Sequence, residues 1–376
     1  MQLLFDWDFR RWRPPFLAPW WRPPGWMVSV TDSREWRLDM DEEAIAASSV
    51  GNAERLSVPL HRILLETGIA ATPATSAWDP RSWYPFFRYA PDFAGTAPRL
   101  RFYSGVAERD PRHTAIASEE LAAGIATYIL REHFGQVHIA DVQPLIGSGD
   151  VQYVDPASGK RPDFFCLDGS NQALFAECKG KQGTRSPLLR EIDGNARRQL
   201  ENVRATRHQL RSSCNRVAIG THFCVHGRHP QSETTTVVRD PEGPPSIKKG
   251  DPDDFAIRVA YAKVLRFLGL DSIAERMLLF RGFDPNDFPT VAIDGRDATY
   301  SFLGYSPAAD FVFLESEILN RLASRDRFEL VRLSGDRNTQ QREERLHDNS
   351  DVGYFLNNGV AILFPQTAAD IITRVT

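Results

Sequence analysis

The chain has 376 residues, of which 42% are hydrophobic and 25% are charged, so it is long enough for two or three domains with sizeable cores. Its formal net charge of −4 argues against a uniformly basic nucleic-acid-binding surface, and any such surface must therefore be local. The four cysteines lack the spacing of a disulfide framework, and no apolar run approaches the roughly 18 residues of a membrane span, which predicts a soluble cytoplasmic protein.

The N-terminal segment 1–26 is unusually rich in tryptophan and proline. Five of the eight tryptophans lie there, at Trp7, Trp12, Trp20, Trp21 and Trp26. Prolines at five positions exclude a long helix, so we expect an extended arm whose indoles are buried against another surface. Three alternatives are open for that surface. The arm packs on its own chain, it docks to a partner protein or a second protomer, or its indoles stack on nucleobases. The segment 42–65 reads as one helix broken near Gly51.

A helix is predicted over 115–133. At 100° per residue, its buried stripe contains Leu121, Gly124, Ile125 and Tyr128. Glu120 lies at the edge of this stripe, whereas Glu119 lies nearly opposite and is expected to face solvent. Acidic residues also suit the first turn of a helix, because they stabilise its dipole, so a purely structural role for both is the alternative.

Two strand-like runs, 161–168 and 173–179, flank the turn-forming residues Asp168-Gly169-Ser170-Asn171 and predict an antiparallel hairpin. Because strand side chains alternate, Glu177 and Lys179 share one face, whereas Leu174, Ala176 and Cys178 share the other. A loop centred on Ser170 places Asp163 opposite Glu177. Two facing carboxylates repel each other unless one is protonated or a cation lies between them, and a divalent metal ion is the simplest resolution. A solvated strand face, with Asp163 in a turn, is the structural alternative.

The stretch 179–216 is locally basic, with ten Lys and Arg residues against three acidic ones, a local net charge of +7. We expect a helix over 188–211, on which four arginines recur every seven residues and form one stripe. This sign of charge suits a phosphate backbone, although a solvated helix face gives the same spacing. The predicted nucleic-acid-binding residues are Lys181, Arg185, Arg190, Arg197, Arg204 and Arg211.

The C-terminal third follows a linker at about 230–252 that is interrupted by prolines and glycines. Two amphipathic helices over 253–268 and 271–280, with Gly269 between them, predict a helical hairpin. The dipeptides Asp294-Gly295 and Asn358-Gly359 each lie between strand-like residues and predict two β-hairpins. This region is therefore expected to be an α+β accessory domain, and nothing in it indicates a ligand.

The combination Pro162-Asp163, thirteen intervening residues and Glu177-x-Lys179 resembles the signature of the PD-(D/E)XK nuclease superfamily, the restriction-endonuclease-like phosphodiesterases. The predicted order of elements over about 115–226 is helix, three strands, helix, strand, which is similar to the αβββαβ core of that family. The resemblance implies an α/β nuclease core at 101–230 between an N-terminal arm and lobe at 1–100 and the α+β region at 231–376, so that the chain as a whole is α+β.

The resemblance also implies a metal-dependent nuclease, with DNA as the expected substrate and restriction or antiviral defence as the expected setting. Asp163, Glu177, Glu120 and the carbonyl of Cys178 would hold Mg²⁺ or Mn²⁺, and Lys179 would orient or activate water and stabilise the charge of the transition state. Gln199 would approach the active site, a looser correspondence. The alternative is a catalytically silent protein of the same fold that acts as an assembly, sensor or nucleic-acid-binding subunit.

Overall fold

The computed structural model describes about half of the chain. The described residues are 35–40, 55–75, 88–89, 93, 100–102, 104–169, 173–183, 185–206, 215–225, 234–239, 254–285, 290–293, 296–299, 312–323, 344–345, 353–355 and 360–363. The tryptophan-rich arm 1–26 and positions 240–252 of the predicted linker lie outside the described residues, whereas Thr235–Arg239 form a strand of the main sheet, so the predicted start of the linker at about 230 is wrong. Residues 55–59 form a strand and a helix begins at Leu60, so the helix predicted over 42–65 is wrong at 55–59.

The protein is a mixed α/β structure, as predicted, and its main sheet has seven strands. These are β1 (Glu35–Met40), β2 (Arg55–Pro59), β3 (Gln136–Asp141), β5 (Phe164–Asp168), β6 (Ala173–Gln182), β8 (Asn215–Phe223) and β9 (Thr235–Arg239). Their order across the sheet is β2-β1-β9-β8-β6-β5-β3. The pairs β6–β8 and β1–β9 are parallel, and the other neighbours are antiparallel.

The described part of the chain contains eight α-helical segments and one π-helical turn. They are α1 (Leu60–Ala71), α2 (Pro111–Glu132), α3 (Val142–Ser148), α4 (Arg185–Glu191), a π-helical turn (Ile192–Ala196), α5 (Arg197–Glu201), α6 (Asp254–Phe267), α7 (Asp271–Leu278) and α8 (Ser316–Ala323). The side chain of Asp110 caps the start of α2 by accepting from the Arg112 N–H, and Pro111 suits the first helical position because its missing N–H needs no partner there. None of the described helices is long and apolar enough to cross a membrane.

Two smaller sheets complete the described fold. Strand β4 (Val151–Tyr153) pairs with β7 (Val203–Ala205). A six-stranded sheet in the C-terminal region contains β10 (Thr290–Ile293), β11 (Arg296–Thr299), β12 (Val312–Glu315), β13 (Glu344–Arg345), β14 (Gly353–Phe355) and β15 (Val360–Leu363). The antiparallel pairs β10–β11 and β14–β15 confirm both predicted β-hairpins, and α6 and α7 confirm the predicted helical hairpin, with Gly269 at φ 77° between them.

Strand β6 is covered by helices on both faces, and glycines permit the closest approaches. A Cβ atom on Gly180 would lie 1.9 Å from the Ser118 carbonyl oxygen in α2, so this residue must be glycine for α2 to pack as it does. On the neighbouring strand β8, a Cβ on Gly220 would meet Ile192 in the π turn at 2.2 Å. Positions such as Cys178 and Gly180 therefore face α2, whereas Lys179 and Lys181 face α4 and the π turn.

The predicted helix over 188–211 differs from the structure. Helical backbone begins earlier, at Arg185, changes to a π turn at Ile192–Ala196 and ends at Glu201, and Val203–Ala205 form a strand instead. The side chain of Asn202 at this end donates to the carbonyls of Asp155 and Lys160, so tertiary contacts stop the helix where its period alone would continue it.

A buried ionic network joins α1 to α2. Glu66 is 1% exposed and lies between two buried arginines, with its Oε1 atom 3.3 Å from Arg62 Nη2 and 3.0 Å from Arg131 Nε. Arg131 also donates to the Val137 carbonyl at 2.7 Å. Burying these charges costs free energy of desolvation, and the ion pairs and hydrogen bonds between them offset that cost.

Candidate active site

The site is organised by the β5–β6 hairpin. Phe164 pairs with Ala176 in this hairpin, so the next position along brings Asp163 opposite Glu177, in the register that the loop centre predicted. The contact is direct, because the backbone N–H of Asp163 donates to Glu177 Oε2 at 3.1 Å. The hairpin therefore brings together two carboxylates that are separated by thirteen residues in the sequence.

The two carboxylates are satisfied by different partners. Asp163 Oδ2 accepts from the backbone N–H of Cys178 at 3.0 Å and from the Cys178 thiol at 2.9 Å. Glu177 Oε1 instead accepts a hydrogen bond from the ammonium group of Lys179. These hydrogen bonds relieve the repulsion between the two carboxylates, which was the reason for predicting a divalent metal ion between them. They also correct the expectation that Cys178 points away from the acidic pair, since the Asp163 side chain reaches across to it.

Burial determines the electrostatics of Glu177. Its side chain is 1% exposed, and burial together with the negative charge of Asp163 raises its pKa from 4.5 to about 8, although Lys179 opposes this rise. Burial alone would lower the pKa of Lys179, but the neighbouring carboxylate of Glu177 raises it above its ordinary value. Lys179 is therefore a stable cation, whereas Glu177 can exchange a proton close to neutral pH.

A cleft of about 710 Å³ opens at this end of the hairpin. Its lining includes five of the predicted site residues, Glu120, Asp163, Cys178, Lys179 and Gln199. The structure thus collects residues from α2, the start of β5, β6 and α5 around one space. Glu177 lies behind this lining, in contact with Asp163 and Lys179.

Glu120 contributes from α2, as its position at the edge of the buried stripe predicted. Its carboxylate accepts a hydrogen bond from the hydroxyl of Tyr89, a residue that sequence reasoning missed because the aromatic-rich segment around it shows no periodicity. Glu119 is exposed, as expected, but it also lines the cleft. The prediction that Glu119 faces solvent is therefore confirmed, and its position in the cleft lining is an additional finding.

The loop that leads to Asp163 is held by the π turn and α5. Gln199 Nε2 donates to the Arg161 carbonyl at 2.8 Å, and Gln199 Oε1 accepts from Asn195 at 3.2 Å. Asn195 also accepts from the ammonium group of Lys160 at 3.1 Å. Gln199 therefore approaches the site as predicted, and its contacts show that it orders the loop before Asp163. Helices with π turns are frequent at functional sites, where the extra residue redirects side chains.

The predicted arginine stripe does not form on one helix face. The π turn shifts Arg197 around the axis relative to Arg190, and Arg204 lies in β7 after the helix has ended. Arg211 lies outside the described residues. The remaining cations are still at the surface: Arg185, Arg190, Arg197 and Arg204 are exposed, Lys181 is paired with Glu191 at 2.8 Å, and Arg197 is paired with Glu201 at 2.7 Å.

Within the part of the chain that the structure describes, no three His, Cys, Asp or Glu side chains are grouped so as to hold a metal ion by themselves. Comparisons of the chain with models of protein families, with curated proteins and with solved structures find no match. The chemistry of the cleft itself therefore indicates the function.

Proposed function

We propose that the protein is a metal-dependent nuclease that hydrolyses phosphodiester bonds of DNA on a restriction-endonuclease-like core. One observation carries the proposal: Asp163, Glu177 and Lys179 are linked by hydrogen bonds beside a cleft that also contains Glu120 and Gln199. The order of elements supports it, since α2, β3, β5, β6, the helical segment from α4 to α5 and then β8 follow one another in the αβββαβ order, apart from α3, β4 and β7.

The donor atoms suit a hard divalent cation. Mg²⁺ is usually held by one or two carboxylates, with water and substrate phosphates as the remaining ligands, so a set of three protein ligands is not required. Asp163 and Glu177 would supply the two carboxylates, and Glu120 lies across the same cleft. The pKa of about 8 for Glu177 also fits a cation, because burial and the negative charge of Asp163 both disfavour the ionised carboxylate, and a bound cation would stabilise it. When bound, Mg²⁺ or Mn²⁺ would polarise a phosphoryl oxygen and lower the pKa of bound water.

The residues of the chain then have distinct tasks. Lys179 keeps its proton, since its pKa is raised, and so it stabilises negative charge on the phosphate in the transition state instead of accepting a proton from water. Glu177 holds this ammonium group in place. Gln199 and Asn195 fix the loop before Asp163, which limits the movement of that carboxylate. Lys160 and Arg161 also line the cleft and can contact the phosphates on either side of the reacting bond.

The direct test is incubation of the purified protein with supercoiled plasmid in Mg²⁺ or Mn²⁺, against the same reaction in EDTA. We expect nicked or linear product only with the metal. Lys179→Ala should remain folded and bind DNA, but it should lose most of the cleavage rate because its amine acts on the transition state. The matched control is Arg276→Ala, an exposed cation on α7 outside the cleft lining, which should cleave like the wild type. If Lys179→Ala cleaves the plasmid as fast as the wild type, Lys179 does not act on the transition state.

The exposed arginines have a separate test. Replacing Arg197 and Arg204 together by alanine should weaken DNA binding for all sequences alike and flatten its salt dependence, because phosphate contacts carry no base information. Binding titrations on two unrelated duplexes at several salt concentrations measure this. An unchanged salt slope would show that these arginines are only a solvated surface.

A second candidate is a catalytically silent protein of the same fold that binds nucleic acid or a partner. The observation in its favour is that hydrogen bonds from Cys178 and Lys179 already satisfy both carboxylates without a metal ion. Intact plasmid under every metal condition, together with retained DNA binding, would favour this candidate over the nuclease.

A further inference from the structure

A lysine from the C-terminal region lies buried behind the cleft. Lys263 is in the middle of α6, is 2% exposed and has the buried apolar residues Val259, Val264 and Phe267 near it on the same helix. Burying an ammonium group costs several kcal/mol unless charges and hydrogen bonds compensate for it. Packing α6 against the sheet would need only an apolar side chain here, so the charge indicates a role beyond packing.

Each contact of the Lys263 ammonium group described here is with a residue that lines the cleft. Nζ donates to the carbonyl of Ala70 at 3.0 Å and to the carboxylate of Asp141, and it lies 5.3 Å from the ring centre of Phe164. These three residues belong to the end of α1, the end of β3 and the start of β5. One buried cation therefore joins three elements that meet at the cleft.

Asp163 is tied to the same point through the backbone. The N–H of Val142, which directly follows Asp141, donates to the Asp163 carbonyl at 3.2 Å, and Phe164 directly follows Asp163. A shift of Asp141 or Phe164 would therefore move Asp163 relative to Cys178, whose backbone N–H donates to the Asp163 carboxylate. A second cation of α6 acts in parallel: Arg266 Nε donates to the carbonyl of Ala74, another residue of the cleft lining, at 2.9 Å.

We propose that Lys263 is a positioning residue, through which the C-terminal region holds Asp163 in its place at the cleft. The cation binds Asp141, which precedes the residue whose N–H donates to the Asp163 carbonyl, and it lies over the ring of Phe164, which follows Asp163 in the chain. The catalytic consequence of this role rests on the proposed nuclease function, whereas the positioning itself does not. The region after the linker is then part of the architecture of the site, and not only an appended accessory unit.

The test compares Lys263→Met with Arg258→Met in the full chain. Arg258 is the matched control, because it is also a buried cation of α6 but donates to the Met277 carbonyl and lies over Phe280, at α7. Amide hydrogen exchange is measured at Val142 and Cys178, whose N–H groups both donate to Asp163. We expect exchange at these two amides to be at least about tenfold faster in Lys263→Met than in Arg258→Met, at temperatures equally far below the two melting points.

Asp141→Asn gives an independent and milder perturbation, because Asp141 is 26% exposed and the substitution keeps its shape. It should accelerate exchange at the same two amides, and the double variant with Lys263→Met should add little to either single effect, as expected for residues that act through one contact. Exchange equal to that of Arg258→Met in both variants, or additive effects in the double variant, would overturn the proposal.

The cleavage assay separates this inference from the proposed function. If the wild type cleaves DNA, Lys263→Met should lower kcat by at least about tenfold with little change in KM, because misplacing Asp163 affects the transition state more than binding. An unchanged kcat in a wild-type enzyme that cleaves would overturn the positioning role. If the wild type does not cleave, the nuclease function fails, and the exchange measurements still decide whether Lys263 positions Asp163.

Discussion

Replacing Glu177 by glutamine should change how the stability of the metal-free protein depends on pH. In the native state, burial and the charge of Asp163 raise the pKa of this carboxyl from 4.5 to about 8. Between these two values the native state binds a proton that the unfolded state releases. The free energy of unfolding therefore falls as the pH rises through this window: the contribution is fully present below about pH 4.5 and is lost by about pH 8.

The size of this pH dependence follows from the difference between the ordinary pKa of Glu177 and its pKa in the native state. Each pH unit of difference corresponds to about 1.4 kcal/mol, so the full window corresponds to about 5 kcal/mol, of which about 4 kcal/mol falls between pH 5 and pH 8. Glutamine has the same shape and no titrating proton, so Glu177→Gln should lack this slope. The free energy of unfolding of Glu177→Gln, relative to that of the wild type, should therefore rise by about 4 kcal/mol from pH 5 to pH 8.

Urea denaturation of both proteins in EDTA at pH 5, 6, 7 and 8 measures this difference. Glu201→Gln is the control, because Glu201 is an exposed carboxyl paired with Arg197 and should change the curve little. Parallel stability curves for the wild type and Glu177→Gln would refute the reasoning, since they would mean that Glu177 titrates at the same pH in the native and unfolded states.

Glu66→Gln should destabilise the protein by about 3–5 kcal/mol in urea denaturation, because two buried arginines lose the carboxylate charge between them, although Arg62 keeps its ion pair with Glu132; a loss below about 1 kcal/mol would contradict this. Gly180→Ala should destabilise by about 1–3 kcal/mol, because its Cβ would meet the Ser118 carbonyl oxygen at 1.9 Å, whereas Gly147→Ala, with open space around it, should be nearly neutral. Equal melting temperatures of these two variants would disprove the close approach of α2. Deletion of residues 1–26 should lower the number of protomers per particle, as measured by light scattering, because the arm is expected to mediate assembly. A folded protein with an unchanged number of protomers would show that the arm packs on its own chain.

Much of the hairpin that carries the site could be predicted from the sequence, because its determinants are local. The turn at Asp168-Gly169-Ser170-Asn171 and the alternation of strand side chains set the register in which Asp163 meets Glu177. The 3.6-residue period likewise placed Glu120 at the edge of the buried stripe of α2, and Gly269 marked the break between α6 and α7.

The predictions that were wrong concern features that local periodicity does not record. The heptad spacing of the arginines assumes an uninterrupted α-helix, but the π turn and the contacts of Asn202 are decided by how that segment packs on β6 and on the loop before Asp163. The orientation of the Asp163 carboxylate toward Cys178 depends on the bend of the chain before β5, which the alternation rule does not cover.

The sequence by itself determined the chemical types at the site and their spacing along the hairpin, because strand pairing and turn chemistry act over a few residues. Only the tertiary structure decided which of these groups are buried, which are charged, and which are fixed in position by hydrogen bonds. The pKa of Glu177 depends on desolvation by surrounding elements, and the contacts of Tyr89 with Glu120 and of Lys263 with Asp141 join residues 31 and 122 positions apart. Contacts of such long range form only when helices and strands pack together, and no local pattern in the chain encodes them.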